Sequence, residues 1–381
     1  MKKIIIFNIG TNLGGIEKSL IQFLKYISTM ELEIDLVLWK KPGELYSEIP
    51  SQINILSSPS PGRLSSVFYE KRPIKILKRM KQYIQVKMDK RIGCAWKHFE
   101  CQKKQYDIAI SYCQNGYSPY YVIDKVSANE KYLFYHHGSY EKGKKEQEVD
   151  LEYYKKYNKI ITVSDANKSM LETHFPELKD KILVIHNLLD EEKIRFLSNE
   201  KLEICEINAG CKIVSVGRIS EEKGQLFSLE VAKLLKQQKF QFHWIFVGDG
   251  PQKDICVQKV KEYDLEKECI FVGAQTNPYS YMRWADLYVQ TSSVEADPVT
   301  IQEAMILCKP IIVSDILAMR EATGEGQFAI LCSLNKDSFV KAIVSLYGDM
   351  QIRETLLSNI QNRVNPNKCS KEQINNLLFK R

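Results

Sequence analysis

Residues 291–315 read TSSVEADPVTIQEAMILCKPIIVSD. The run ADLYVQTS that leads into them has the character of a buried strand, and KPIIVSD at their end reads as the next one, so the stretch spells strand, loop, helix, strand. Asp297 is placed to cap the helix, and Pro298 fits its first position, where a missing N–H costs nothing. Glu295 thus stands at a loop mouth and Glu303 on the helix behind it. Two carboxylates so spaced can grip two hydroxyl-bearing parts of one extended ligand. The helix start between them, with its free N–H groups and positive dipole end, can receive a phosphate. The pattern reads as a site for a sugar nucleotide.

Similar units recur along the chain. KIIIFNI, EIDLVLW, YDIAISY, KYLFYHH, KIITVS and KILVIHN precede residue 188, and CKIVSVG, FHWIFVG, CIFVG, ADLYVQTS, KPIIVSD and FAILCS follow it. Apolar strand-like runs alternating with helical stretches predict an α/β chain with parallel sheets. With 381 residues, two domains are expected, over 1–187 and 188–360. The Asn-rich segment 361–381 is expected to pack back on the first. The polar stretch DEEKIRFLSNEKLEICEINAG lies at their junction.

Composition excludes several classes. No apolar run approaches the ~18 residues of a spanning helix, and MKKIIIFNIG reads as a first strand instead of a signal peptide. The ten cysteines form no CxxC pair, which argues for reduced thiols in a cytoplasmic protein. No Asp-x-Asp and no ligand cluster of metal spacing occurs, so no metal or other cofactor is expected. Charge is concentrated: thirteen of the Lys and Arg residues fall between Arg63 and Lys104 against three acids, in a chain of net charge +7. There Ile74, Leu77, Met80, Ile84 and Met88 recur at helical spacing, flanked by Lys75, Lys78, Arg79, Lys87 and Arg91. Such a helix suits an anionic membrane surface, and equally a core-packing helix with a solvated basic face. No nucleic-acid module surrounds it.

Three loops follow strands. In IVSVGRISEEKG, Arg218 and Lys223 can clamp a diphosphate and stabilise it as a leaving group; the plain alternative is a polar loop with two surface charges. In FNIGTNLGGIEKSL, Gly14 and Gly15 open a helix but match neither GxGxxG nor a P-loop, and a tight turn accounts for them as well. In FYHHGSY, strand alternation lets one histidine reach a ligand. His137 is favoured, with His136 directed to the other side. FVGDGP is a sharp turn whose glycines border the nucleotide or serve structure alone.

Taken together, Gly217-Arg218 with Lys223-Gly224, FVGDGP, and Glu295 to Glu303 followed by EAMILCKPIIVSD resemble the retaining GT-B glycosyltransferases of family 4, common in bacterial surface-polysaccharide assembly. Gly14-Gly15-Ile16-Glu17, His137-Gly138, VSDANKSML and VIHNLLD are looser matches, and the resemblance spans nearly the whole chain. It implies two Rossmann-like domains facing across a cleft, donor on the second and acceptor on the first. By position, Arg218 and Lys223 would hold the diphosphate, Glu303 the ribose hydroxyls, Glu295 the transferred sugar, and His137 the sugar near its reacting carbon. The donor-binding set would also include Gly15, Ala296, Asp297, Pro298 and Val299, whose backbone would meet phosphate oxygens. The chain departs from the family after Glu295, where Ala296 and Asp297 replace the usual glycine and an aromatic or small residue.

The implied activity is metal-independent transfer, with retention, of a hexose or related sugar from a nucleoside-diphosphate sugar to a lipid-linked or growing glycan. The enzyme would lie on the cytoplasmic face of the membrane. A non-catalytic partner that binds or steadies an active transferase is the alternative, and an epimerase on the same fold is a weaker one.

Overall fold

In the computed structural model, residues 1–60, 94–202, 210–363 and 366–379 are described. Lys75, Lys78, Arg79, Lys87 and Arg91, and with them the expected basic helix, lie outside that set. The chain divides into two compact units, one of Met1–Val163, Lys168–Leu188 and the chain from Ser370, the other of Ser164–Asn167 and Leu189–Cys369.

The first unit holds a seven-stranded parallel sheet ordered β3-β2-β1-β4-β5-β6-β7. Its strands are β1 (Lys2–Asn8), β2 (Leu32–Leu38), β3 (Asn54–Leu56), β4 (Tyr106–Ser111), β5 (Ala128–Tyr135), β6 (Lys159–Thr162) and β7 (Ile182–Val184). The second unit holds a six-stranded parallel sheet ordered β10-β9-β8-β11-β12-β13. These strands are β8 (Cys211–Val216), β9 (Phe242–Val247), β10 (Cys269–Gly273), β11 (Leu287–Gln290), β12 (Ile311–Ser314) and β13 (Ile330–Cys332). Each of the twelve apolar runs forms a strand. The three-residue β3 was not expected, because NIL between polar neighbours carries no strand-length apolar run.

Continuous apolar runs are what a sheet covered by helices on both faces requires. Along β1, Ile4 and Ile6 enter one core cluster with Leu20 and Leu24, while Ile5 and Phe7 enter another with Tyr121 and Leu133. In the second unit Ile213, Trp244 and Phe246 pack on one side, and Val214, Ile245 and Val247 on the other. The period-two alternation of side chains makes this split obligatory. The C-terminal helix Pro366–Phe379 adds Ile374, Leu377 and Leu378 to the Ile4–Ile6 cluster.

Strand order fixes where a site can form. In the second sheet the chain steps outward from β8 through β9 to β10, and then from β11 through β12 to β13. Connections diverge between β8 and β11, which leaves a crevice at their carboxyl ends. The loops that leave these two strands are Gly217–Gly224 and Thr291–Pro298.

Candidate functional site

The β8 loop ends in a single 3-10 turn, Glu221–Lys223, followed by Gly224 in the left-handed region at φ 72°. A side chain there would be strained by that φ and would also strike the Thr291 carbonyl, so only glycine lets the two loops close on each other. Ser293 N–H donates to Glu222 O at 2.8 Å, and the Thr291 hydroxyl Oγ1 to Gly224 O at 2.9 Å, so one backbone and one side-chain donor fasten the loops through backbone carbonyls.

Lys223 and Glu295 meet at this seam. Lys223 Nζ donates to Glu295 Oε1 at 2.6 Å and Oε2 at 2.7 Å. Gln290 Nε2 and Ser292 Oγ donate to Glu295 Oε1 at 2.6 and 2.8 Å. The Glu295 side chain retains 6% of its exposure and that of Lys223 26%. Gln290 Oε1 in turn accepts from Thr300 Oγ1 and from Tyr288 OH, both at 2.9 Å, so the carboxylate is oriented by a lattice reaching into the next helix. Arg218 is exposed at the loop tip. Burial pushes the Glu222 carboxyl upward, but bonds from its own backbone and Ser220, with the charges of Arg218 and Lys223, hold it below the usual range.

Glu303 is 2% exposed and accepts from Tyr279 OH at 2.9 Å. Its helix runs from Val299 to Ile306, with Pro298 in the capping position and no side-chain cap. This corrects the expectation for the helix start. Pro298 precedes the first helical residue instead of occupying it, and the Asp297 carboxylate accepts from Gln302 Nε2 at 2.8 Å, one turn inside the helix. Among the backbone groups expected to meet phosphate, Val299 N–H donates to Asp297 O at 2.9 Å. Ala296 is buried and its carbonyl accepts from Ser164 Oγ.

In the first unit, Gly15 is the exposed first residue of the helix Gly15–Ile27, with Gly14 extended at φ −156° before it. His137 is exposed, and its Nδ1 lies 3.0 Å from Ser139 O. His136 is the inward member: its ring stacks on Phe134 at 6.0 Å and 18°, and its Nε2 is buried. Burial pushes its pKa down to about 4, against a smaller opposite effect of the Tyr112 backbone. His136 N–H donates to Gln114 Oε1 at 3.0 Å.

Residues 206–363, which contain Arg218, Lys223, Glu295 and Glu303, match the family described as Glycosyl transferases group 1. The likeness to group 1 glycosyltransferases is thus carried by the second unit. Its relatives include the uncharacterized glycosyltransferase MJ1059 of Methanocaldococcus jannaschii, 30% identical over 203 residues, a match spanning 51% of this chain and 50% of that protein. An N-acetylgalactosamine-N,N'-diacetylbacillosaminyl-diphospho-undecaprenol 4-alpha-N-acetylgalactosaminyltransferase of Campylobacter jejuni is 23% identical over 95% of both chains. Among solved structures, Anabaena HepE in complex with UDP and glucose has TM-score 0.70 at 19% identity, covering 99% of both chains. A Rickettsia africae glycosyltransferase has TM-score 0.71 at 16% identity over the full length of both. The fold is that of the GT-B glycosyltransferases.

Within the matched segment the structure thus brings Lys223 and Glu295 together directly, and joins Glu295 through Gln290 and Thr300 to the helix that carries Glu303. Gln290, Ser292, Thr300 and Tyr279 escaped the sequence reading. Gln290 and Ser292 had a signal, being polar residues two apart where an apolar strand ends. Tyr279 had none, since its partner is 24 residues away. Among the described residues no cluster of His, Cys, Asp and Glu is arranged to hold a metal ion.

Proposed function

We propose that the protein transfers a hexose or related sugar from a nucleoside-diphosphate donor to a lipid-linked or growing glycan in cell-surface polysaccharide synthesis, with retention and without a metal. The Lys223–Glu295 pair at the β8–β11 crevice carries this reading. An ammonium has three donors, so Lys223 can hold Glu295 and still offer one to a diphosphate oxygen. Arg218, exposed on the same loop, adds a second cation. Together they offset charge that builds on the leaving diphosphate, the part Mg²⁺ takes in other enzymes.

Glu303, fixed by Tyr279, suits the ribose hydroxyls, and Glu295 the transferred sugar. In the reaction the bond from the anomeric carbon to the diphosphate oxygen breaks and one to the acceptor oxygen forms. The acceptor proton passes to a diphosphate oxygen, so no protein base is needed. The relatives lend weight to this reading: the Campylobacter protein and a UDP-Gal:alpha-D-GlcNAc-diphosphoundecaprenol alpha-1,3-galactosyltransferase of Escherichia coli are named for diphospho-undecaprenol-linked substrates. We further assign the basic stretch 63–104 to an anionic membrane surface on the cytoplasmic side. No helix among the described residues is long and apolar enough to cross a membrane.

The test is thermal shift against UDP, GDP, ADP and their sugar conjugates, with and without Mg²⁺, followed by nucleoside-diphosphate release on adding a lipid-linked acceptor. Stabilisation by one nucleotide family without metal, lost in Glu303→Ala, supports the donor site. No shift with any of them would sink the reading.

A further inference from the structure

At the opposite, amino edge of the second sheet lies a cleft of about 470 Å³. Three helices end beside it. Arg195 stands in the last turn of Glu191–Ser198 and Arg283 in the last turn of Tyr279–Trp284, while Cys308 and Lys309 follow Val299–Ile306. All four side chains line the cleft, and among the described residues no carboxylate does.

Cations near helix C-termini complement the helix dipoles, which accounts for their charge. It does not account for their convergence on one concavity. Arg195 and Arg283 are exposed, and neither guanidinium is ion-paired among the described residues. Lys309 is fixed, with Nζ donating to Arg283 O at 2.6 Å and Ala285 O at 2.7 Å. Burial pushes its pKa down to about 8, with Asp286 opposing and Arg283 adding to the fall. Arg363 is lowered likewise by burial and by Arg195, against Glu191.

The backbone adds a second cost. Cys308 has φ 50°, a left-handed conformation that glycine normally supplies at a helix end. Bonds from Cys308 N–H to Met305 O and Lys309 N–H to Ala304 O, 2.9 and 3.0 Å, hold that sharp turn. Crowded cations and a strained turn both raise the energy of this edge, and a bound anion offsets the first.

We propose that the cleft binds a phosphate group, carried on a small molecule or on a lipid headgroup, between Arg195, Arg283 and Lys309. Guanidinium forks match phosphate oxygens in pairs, and Lys309 adds a fixed point charge. The volume lies in the range of about 300–1,000 Å³ found for small-molecule sites. It exceeds what a bare phosphate fills, so an organic part is expected with it. The site is separate from the crevice at the carboxyl ends of β8 and β11, and the inference does not depend on the donor reading.

The experiment is equilibrium dialysis of the full chain against inorganic phosphate at fixed ionic strength. Cosedimentation with phosphatidylglycerol and with phosphatidylcholine vesicles runs alongside. The variants are R195A/R283A and, to mark the donor crevice, K223A. The double substitution is expected to weaken phosphate binding, phosphatidylglycerol binding or both by about tenfold or more, the scale of a lost charge-assisted bond, with the melting temperature unchanged. Loss with phosphate alone identifies a free ligand; loss with phosphatidylglycerol identifies a headgroup. Binding of both probes undiminished in R195A/R283A, or phosphate binding abolished only by K223A, overturns the proposal.

Discussion

Lys223 Nζ lies 2.6 Å from Glu295 Oε1 and 2.7 Å from Oε2, an ion pair that joins two strand-end loops 72 residues apart. Its energetics follow from burial. Lys223→Ala leaves a nearly buried carboxylate with only the donors of Gln290 and Ser292, a loss of about 1–3 kcal/mol. Lys223→Ala/Glu295→Ala removes the stranded charge too, and its cost is expected to fall below the sum of the single changes. Urea unfolding of the four proteins measures the coupling. Turnover in Lys223→Ala is expected to fall about 10²-fold, as for loss of one transition-state donor. Additive stabilities with near-normal turnover would dismiss the pair as a surface contact.

Gly224→Ala tests the seam from the backbone side. A methyl group would be directed at the Thr291 carbonyl from a left-handed conformation. Strain of about 1–2 kcal/mol and separation of the two loops are expected. The variant should therefore lose activity while its melting temperature falls by only a few degrees. An active, fully stable Gly224→Ala enzyme would show that the loops need not close.

Both predictions concern groups that the sequence displayed unequally. The twelve strands were legible because a sheet covered on both faces needs continuous apolar runs, while Lys223 and Glu295 stood out as charges in strand-end loops and Glu303 as the carboxylate on the helix that follows. Their partners were less so. That Lys223 meets Glu295 depends on β8 and β11 being neighbours, a fact of strand order that no local spacing encodes. The cap at 297–298 was misplaced by one residue because Asp-Pro suits two adjacent registers, and the Asp297 carboxylate also accepts from Gln302 inside the helix.

His136 predicts a pH dependence in the first unit. Its folded pKa of about 4 lies below the ordinary value of 6.5. Between those values the unfolded chain binds the extra proton, so this residue's contribution to stability is complete above the unfolded pKa. It is lost as pH falls through 6.5 towards 4, by at most about 3 kcal/mol. His136→Phe keeps the stacking on Phe134 and removes the titration. The stability difference between wild type and variant should shift by that order between pH 7 and pH 4, read from urea midpoints. A pH-independent difference would mean that the ring protonates in place.

The C-terminal helix gives a packing prediction. Leu378 is 1% exposed within the cluster of Ile4, Ile6 and Leu24, and its carbonyl accepts from Lys2 Nζ at 2.8 Å. Leu378→Ala is expected to destabilise the first unit by about 2–5 kcal/mol. Nucleotide-induced thermal stabilisation, which the proposed donor site assigns to the second unit, should persist. Hydrogen exchange resolves the two: faster exchange in β1 and β2 with β8 and β11 unaffected is the expected pattern.

Tyr279→Phe separates binding from chemistry. The phenol donates to Glu303 Oε1 at 2.9 Å, and the Glu303 carboxylate is 2% exposed. Removing the hydroxyl leaves the helix and its packing intact but loosens the carboxylate that the donor site would present to the ribose. If Glu303 holds the ribose equally in ground and transition states, the loss appears in KM and not in kcat. A rise in donor KM of about tenfold, the worth of one hydrogen bond to a charged group, is expected with kcat within about twofold. Glu303→Gln should give the same direction, because an amide matches only one of the two ribose hydroxyl donors. A fall in kcat at constant KM would instead place Glu303 at the reacting carbon and exchange its assignment with that of Glu295.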